Sequence, residues 1–194
     1  EEGELVATMG SSGSGKSTLL NTLAGSVFPT AGSIKIDGKE VKTLADFERS
    51  KWIARVFQNP LVGTAPDLSI LENFRLASLR SKPKELKIGI NNNFKAIVKD
   101  KVSLLGMGLE NKIDQAIGTL SGGQRQALTL LMCVMDDLKI LLLDEPTAAL
   151  DPRSAQLVMK TADTVIKTYR LTALMVTHNI KDAVQYGSRI IQMD

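Results

Sequence analysis

Short apolar clusters alternate with polar, glycine-bearing breaks along this chain, and their spacing predicts a succession of strands and helices. Residues 4–9 read as a strand feeding a glycine-rich stretch, and 16–24 as the helix that follows it. In 32–38, Ile34 and Ile36 alternate with polar neighbours before Asp37-Gly38, the form of half a hairpin. Residues 52–57 make a further apolar strand, which stops at Gln58-Asn59-Pro60 because proline cannot continue a ladder. Ser69-Ile70-Leu71-Glu72 has the form of a capping box, predicting a helix that runs on through Asn73, Phe74 and Leu76. From there to about residue 117 the pattern reads as mostly helix, broken at Pro83 and around 89–93. A helix is expected from Gly122-Gly123, then a strand over 140–143, a helix over 152–169, a strand over 171–176 and a last strand over 188–193. Alternating strands and helices imply an α/β fold with a mostly parallel sheet covered on both faces.

Composition narrows this picture in three ways. At 194 residues the chain can bury one substantial core and a small subdomain, so a single unit with an insert is expected. No apolar run approaches the roughly 18 residues needed to cross a bilayer, and Glu-Glu-Gly-Glu does not resemble a secretion signal, so a cytoplasmic polypeptide is expected. Cys133, the only cysteine, lies in an apolar stretch and reads as a small buried hydrophobe in a reducing compartment. The net charge of +3 is uneven: residues 75–101 hold eight Lys or Arg against two acidic residues. With few aromatics interleaved, this stretch reads as a solvated face of a helical insert, the alternative being a nucleic-acid or lipid-headgroup surface.

The candidate chemistry lies in the breaks. Gly10-Ser11-Ser12-Gly13-Ser14-Gly15-Lys16-Ser17-Thr18 satisfies the phosphate-loop pattern and sits between a predicted strand and a predicted helix, the context it requires. Its glycines let backbone N–H groups curl around phosphates, and the helix adds its positive end. Lys16 should reach the outer phosphates and the Ser17 hydroxyl a Mg²⁺ ion. The apolar strand ending in Asp144-Glu145 puts two carboxylates where open α/β sheets bind ligands. Asp144 would hold Mg²⁺ through water, leaving Glu145 to polarise the attacking water. His178, the only histidine, ends the next strand, where it can donate to the γ-phosphate and orient that water. Gln58, before a proline-containing loop, suits a neutral Mg²⁺ ligand joined to something mobile. Leu120-Ser121-Gly122-Gly123-Gln124 opens a helix whose N–H groups and dipole form a second anion site. One nucleotide does not need two γ-phosphate sites in one chain, so head-to-tail pairing is expected, with Ser121, Gly122 and Gly123 of one subunit over ATP on the other. A small-molecule kinase would leave the pentapeptide and His178 unexplained.

With these residues in order, the chain resembles the nucleotide-binding subunits of ATP-binding cassette (ABC) transporters over essentially its whole length. Residues 10–18 look like the Walker A motif, Gln58 the Q-loop, 120–124 the signature, 140–145 the Walker B motif with its catalytic glutamate, 148–151 the D-loop and His178 the switch histidine. The resemblance implies a P-loop NTPase: a RecA-like core, a small antiparallel β subdomain and a helical subdomain over about 61–118 that contacts membrane-spanning partners. ATP and Mg²⁺ would be bound by 10–18, Ser17, Gln58 and Asp144, with Glu145, His178 and Gln58 at the reacting end and Ser121, Gly122, Gly123, Gln124 and Asp151 acting in trans. A homodimer or paired cassette, permease subunits, an extracytoplasmic solute-binding protein, no nucleic acid and a place on the cytoplasmic face of the cell membrane are the implied setting. The family usually stacks adenine on an aromatic ahead of Walker A, but the first aromatic here is Phe28, and Asp194 comes before the usual C-terminal elements; a domain trimmed at both ends is therefore expected. Leu68-Ser69-Ile70-Leu71-Glu72-Asn73 is similar to stand-alone cassettes, and Gly63-Thr64-Ala65-Pro66 with Gln126-Ala127-Leu128-Thr129-Leu130 to ATPases of tryptophan/tyrosine-type uptake systems. The alternative is a soluble ABC ATPase acting in translation or on DNA, although only 62 residues separate Gln58 from Ser121, too few for the long coiled coil of chromosome-type relatives.

Overall fold

The computed structural model describes residues 2–82 and 89–194. Its elements run β1 Leu5–Gly10, α1 Lys16–Ala24, β2 Lys35–Ile36, β3 Lys39–Glu40, α2 Asp46–Arg49, β4 Ile53–Val56, α3 Ile70–Ala77, α4 Asn92–Ser103, α5 Gly122–Cys133, β5 Ile140–Asp144, α6 Pro152–Tyr169, β6 Thr172–Val176, α7 Ile180–Tyr186 and β7 Arg189–Met193. Five strands form a wholly parallel sheet in the order β4-β5-β6-β1-β7, and β2 and β3 pair separately as an antiparallel ribbon. This is the parallel sheet that the alternation of strands and helices implied, in the P-loop NTPase arrangement that the family resemblance implied.

Side chains alternate across a strand, so β4, β5 and β6 each contribute to two cores. Leu141, Leu143, Ala173, Met175, Leu5 and Ala7 join the core shared with α5 and α6. Leu142, Val176 and Ile53 point the other way and meet Leu20 of α1 and Ile36 and Val41 of the ribbon. That second core is small, and a buried cation ties it together. Arg49 is fully buried at the end of α2. Its guanidinium donates to the carbonyls of Thr22 and Leu23 at the C-terminal end of α1 (2.7 and 2.9 Å), of Lys42 (2.9 Å) and, through Nε, of Leu44 (2.8 Å). A cation at a helix C-terminus is favoured by the dipole, and here it also satisfies carbonyls that the helix leaves unpaired.

Most expected elements stand, and the differences have local causes. The ribbon has only two residues per strand, joined at Asp37-Gly38 with φ of 48° and 76°, the doubly positive geometry of a type I′ turn. The short helices α2 and α7 were not anticipated, because four and seven residues carry too few turns to show a period. Among the described residues, the run expected to be mostly helix as far as 117 is helical over Ile70–Ala77 and Asn92–Ser103, followed by single 3₁₀ turns at Leu109–Asn111 and Ile117–Thr119. Gly106 and Gly108, at φ of 61° and 70°, turn the chain out of helix between them. The returning strand-like stretch then bonds the start of α3, with Leu71 N–H donating to Ile113 O and Ile70 N–H to Gln115 O, both at 2.9 Å. Ser69 and Glu72 close the expected capping box there. The break expected at Pro83, and the basic stretch where it crosses 83–88, lie outside the described residues.

Replacing Arg49 by Ala leaves four carbonyls without their donor, and a loss on the order of 3 kcal/mol is expected in urea denaturation, partly restored in Arg49→Lys. Cys133 is a free, buried thiol whose burial pushes its pKa from 9.0 up to about 11. The folded state therefore favours the neutral thiol, and the stability this gives is present below pH 9 and lost as pH rises towards 11. Cys133→Ala should flatten that alkaline decline in the denaturation midpoint.

Candidate functional site

The sheet order sets the site. β1, β5 and β6 lie near the middle of the sheet, all parallel, so their C-terminal ends open on one edge. From β1 the chain enters the glycine loop, with Gly13 and Gly15 at φ of 87° and 92°. A Cβ on Gly10 would lie 2.3 Å from the Met193 carbonyl oxygen of β7 and 2.7 Å from Ser14 Oγ, so the loop closes against the sheet only with glycine there. Gly15 stands at the N-cap of α1 and gives no side-chain cap, leaving the first amides of the helix for an anion. Lys16 is buried, and its Nζ donates to Gly10 O at 3.0 Å, Ser11 O at 2.6 Å and Ser14 Oγ at 3.3 Å. The ammonium is held inside the loop by neutral oxygens alone, a set that phosphate oxygens can replace with gain of charge pairing. Ser11, Ser12, Ser17 and Thr18 stand around it at the head of α1 and in the loop before it.

β5 delivers Asp144, and the next residue turns sharply. Glu145 has φ of 46°, a left-handed backbone that costs a non-glycine residue about 1–2 kcal/mol, and its N–H donates to Val176 O at 2.9 Å. Its Oε1 stands 2.9 Å from His178 Nε2. Pairing of Asp144 with Val176 in the β5–β6 register makes this meeting unavoidable, since each residue lies just past a neighbouring strand end. A cleft of about 330 Å³ is lined by Glu145, Thr147, Ala148, Thr177, His178 and Asn179. Thr147 Oγ1 donates to Asp182 Oδ2 at 3.1 Å, fastening the chain after Glu145 to α7. Asp144 has another partner: Arg55 of β4, whose Nη2 lies 2.5 Å from its Oδ2. Gln58 follows β4 and is exposed.

The remaining residues form a second cluster. Ser121 caps α5, accepting from Gln124 N–H at 3.3 Å while Gln124 Oε1 accepts from Ser121 N–H at 3.0 Å. Gly123 is required by packing, since a Cβ would lie 2.5 Å from that of Ser154 on α6, and Gly122 faces Leu150. Asp151 caps α6 through the N–H groups of Arg153 and Ser154, and the hydrogen bonding from Ser154 holds its carboxyl below the usual range. No hydrogen bond among the described residues joins 121–124 to the phosphate loop of the same chain.

A family profile described as ABC transporter matches residues 1–148. The chain is 40% identical to a tyrosine transport ATP-binding protein of Clostridioides difficile (strain R20291), over 100% of this chain and 76% of that protein. It is 36% identical to the thiamine import ATP-binding protein ThiQ of Escherichia coli (strain K12), over 98% of this chain and 77% of that one. This chain belongs to the ABC transporter ATP-binding family. Among solved structures, a dimeric ATP-binding cassette in a post-hydrolysis state bound to ADP and Pi superposes on this cassette with a TM-score of 0.80 at 30% identity, covering 100% of this chain and 82% of that one. The cassette is thus an ATPase domain, and its glycine loop, caged lysine and uncapped helix start fit a nucleotide polyphosphate.

Three residues of the cassette escaped the sequence reading. Arg125 is buried and donates to the carbonyls of Ile117, Gly118 and Leu120, fixing the chain just ahead of Ser121. Gln126 is buried too; its Nε2 donates to Phe57 O at 2.7 Å, directly before Gln58, and weakly to Pro146 O at 3.4 Å, directly after Glu145. Arg55 is the third. Each left a faint trace: a lone arginine in the apolar strand 52–57, and two polar residues inside the buried face of a helix. In Gln126→Leu the Phe57 and Pro146 carbonyls lose their donor, and a loss of about 1–3 kcal/mol in chemical denaturation is expected.

Proposed function

We propose that this chain is the ATP-hydrolysing subunit of an importer for a small solute such as an amino acid, and that it works as a head-to-tail pair closing over two Mg-ATP molecules. The observation that carries the reading is the division of the motifs: the loop that cages Lys16 and the Glu145–His178 pair lie at one sheet edge, while the Ser121-capped start of α5 stands in a separate cluster. A helix start with serine and glycines, unconnected to its own phosphate loop, is suited to phosphates held by another copy. The dimeric cassette structure supports the pairing.

In this reading Lys16 exchanges loop carbonyls for the outer phosphates, and the amides of Gly13, Gly15, Lys16, Ser17 and Thr18, with the loop serines Ser11, Ser12 and Ser14, line the rest of the triphosphate. Glu145 accepts the proton of the attacking water, and His178 donates to the γ-phosphate. Ser17, Asp144 and Gln58 hold Mg²⁺, which when bound neutralises phosphate charge. Ser121, Gly122 and Gly123 close over the partner's nucleotide, while Gln124 and Asp151 keep α5 and α6 capped beside it. The name of the thiamine import relative supports import, and that of the tyrosine transport relative supports an amino acid as cargo.

Segment 61–118 is the helical insert, and a groove of about 580 Å³ lies between it and the sheet, lined by Ala24, Ser26, Asp46, Phe57, Asn73 and Leu76 among others. The exposed Val27, Phe28 and Phe47 adjoin Ser26 and Asp46, giving an apolar rim for a permease subunit. No described helix is long and apolar enough to cross a membrane. In this reading the cassette attaches through that permease, on the cytoplasmic face, with a solute-binding protein on the opposite side.

Glu145→Gln should lower ATP turnover by about 10²–10⁴ while leaving ATP binding intact, and should accumulate dimers in Mg-ATP by light scattering. Normal turnover, or a variant that stays monomeric beside its permease, would refute the reading.

A further inference from the structure

Two adjacent carboxylates at the end of β5 are paired with different kinds of cation. Glu145 faces His178, which can be neutral, whereas Asp144 faces Arg55, which is always charged. Arg55 comes from β4, on the far side of β5 from β6, and both side chains of its pair are mostly buried, at 15% and 18% exposure. Its other terminal nitrogen, Nη1, donates to Asn21 Oδ1 at 2.6 Å. Asn21 lies four residues after Ser17 on α1, hence on the same helix face one turn below it. The guanidinium carbon sits 4.8 Å from the Phe57 ring centre, next to Gln58. One cation is thereby fixed among the three elements that carry Ser17, Gln58 and Asp144.

We propose that Arg55 is a positioning residue that occupies the Asp144 carboxylate and so makes divalent-cation binding at this site dependent on nucleotide. The inference rests on the reading of Asp144 as a Mg²⁺-holding residue. A single carboxylate binds a hydrated divalent cation weakly, and a guanidinium already in contact with it removes most of the remaining attraction. A nucleotide triphosphate supplies several further negative charges and reverses the balance. Arg55 contacts only one oxygen of Asp144, Oδ2, because Nη1 is turned to Asn21, so the arginine need not leave for the other oxygen to face a hydrated ion. Its buried Nε has no hydrogen-bond partner among the described residues, so the fork is not locked in place by a complete set of acceptors.

The probe is Mn²⁺, followed by electron paramagnetic resonance on the whole protein with and without ATP, in a Glu145→Gln background that prevents turnover. Without nucleotide, Arg55→Met should bind Mn²⁺ roughly tenfold or more tightly than the parent, whereas Arg55→Lys, which keeps the charge, should stay near it. With ATP present the three should converge. Arg55→Gln, neutral but able to keep a hydrogen bond, carries the same expectation as Arg55→Met and covers the case in which the methionine variant does not fold. Equal nucleotide-free affinity in the parent and in the folded neutral variant would overturn the proposal. Asp144→Asn separates this from the underlying reading: if it leaves Mn²⁺ binding with ATP unchanged, Asp144 is not a metal-holding residue, whatever Arg55 does.

Discussion

Parallel pairing of β5 with β6, and of β6 with β1, is the constraint on which the rest of this cassette depends. Backbone hydrogen bonds hold Asp144 opposite Val176 and Val176 opposite Thr8, so three loops leave the sheet side by side. A glycine-rich loop, a pair of carboxylates and a histidine are brought to one sheet edge before any side chain is chosen. Parallel strands must be buried on both faces, which explains why Leu141, Leu142 and Leu143 run without a polar break up to the first carboxylate.

Charge is then distributed so that Lys16, Asp144 and Glu145 each have a partner at this edge. Lys16 is enclosed by loop oxygens, Asp144 by Arg55 and Glu145 by His178. The partners differ in how readily they let go. Neutral carbonyls yield to phosphate, an imidazole can lose its proton, and a guanidinium keeps its charge. The strained backbone at Glu145 belongs to the same economy, because the left-handed turn directs its carboxylate towards β6.

Buried polar side chains away from the nucleotide carry a different task. Arg49 gathers carbonyls from α1 and the ribbon, Arg125 gathers those ahead of Ser121, and Gln126 bridges the chain before Gln58 and the chain after Glu145. Through Gln126, the helix headed by Ser121 is bonded to both edges of its own chain's nucleotide site. In the proposed head-to-tail pair those two regions would serve different nucleotides, with this one amide between them.

What the sequence determined by itself was everything that depends on near neighbours. Proline at 152 after the capping Asp151, the Ser69 and Ser121 boxes, and the glycines around Lys16 set local dihedrals whatever the rest of the chain does, and α1 and α6 accordingly span the residues expected of them. The glycine loop, Glu145 and His178 could be singled out for the same reason, and the fold brings Glu145 and His178 together. Only the tertiary structure decided which distant groups meet: Arg55 and Asp144 are 89 residues apart, and Gln126 and Phe57 are 69 apart. A lone arginine in a strand, or a glutamine on a buried helix face, has no preferred partner until strand order and helix packing exclude water and leave one acceptor within reach.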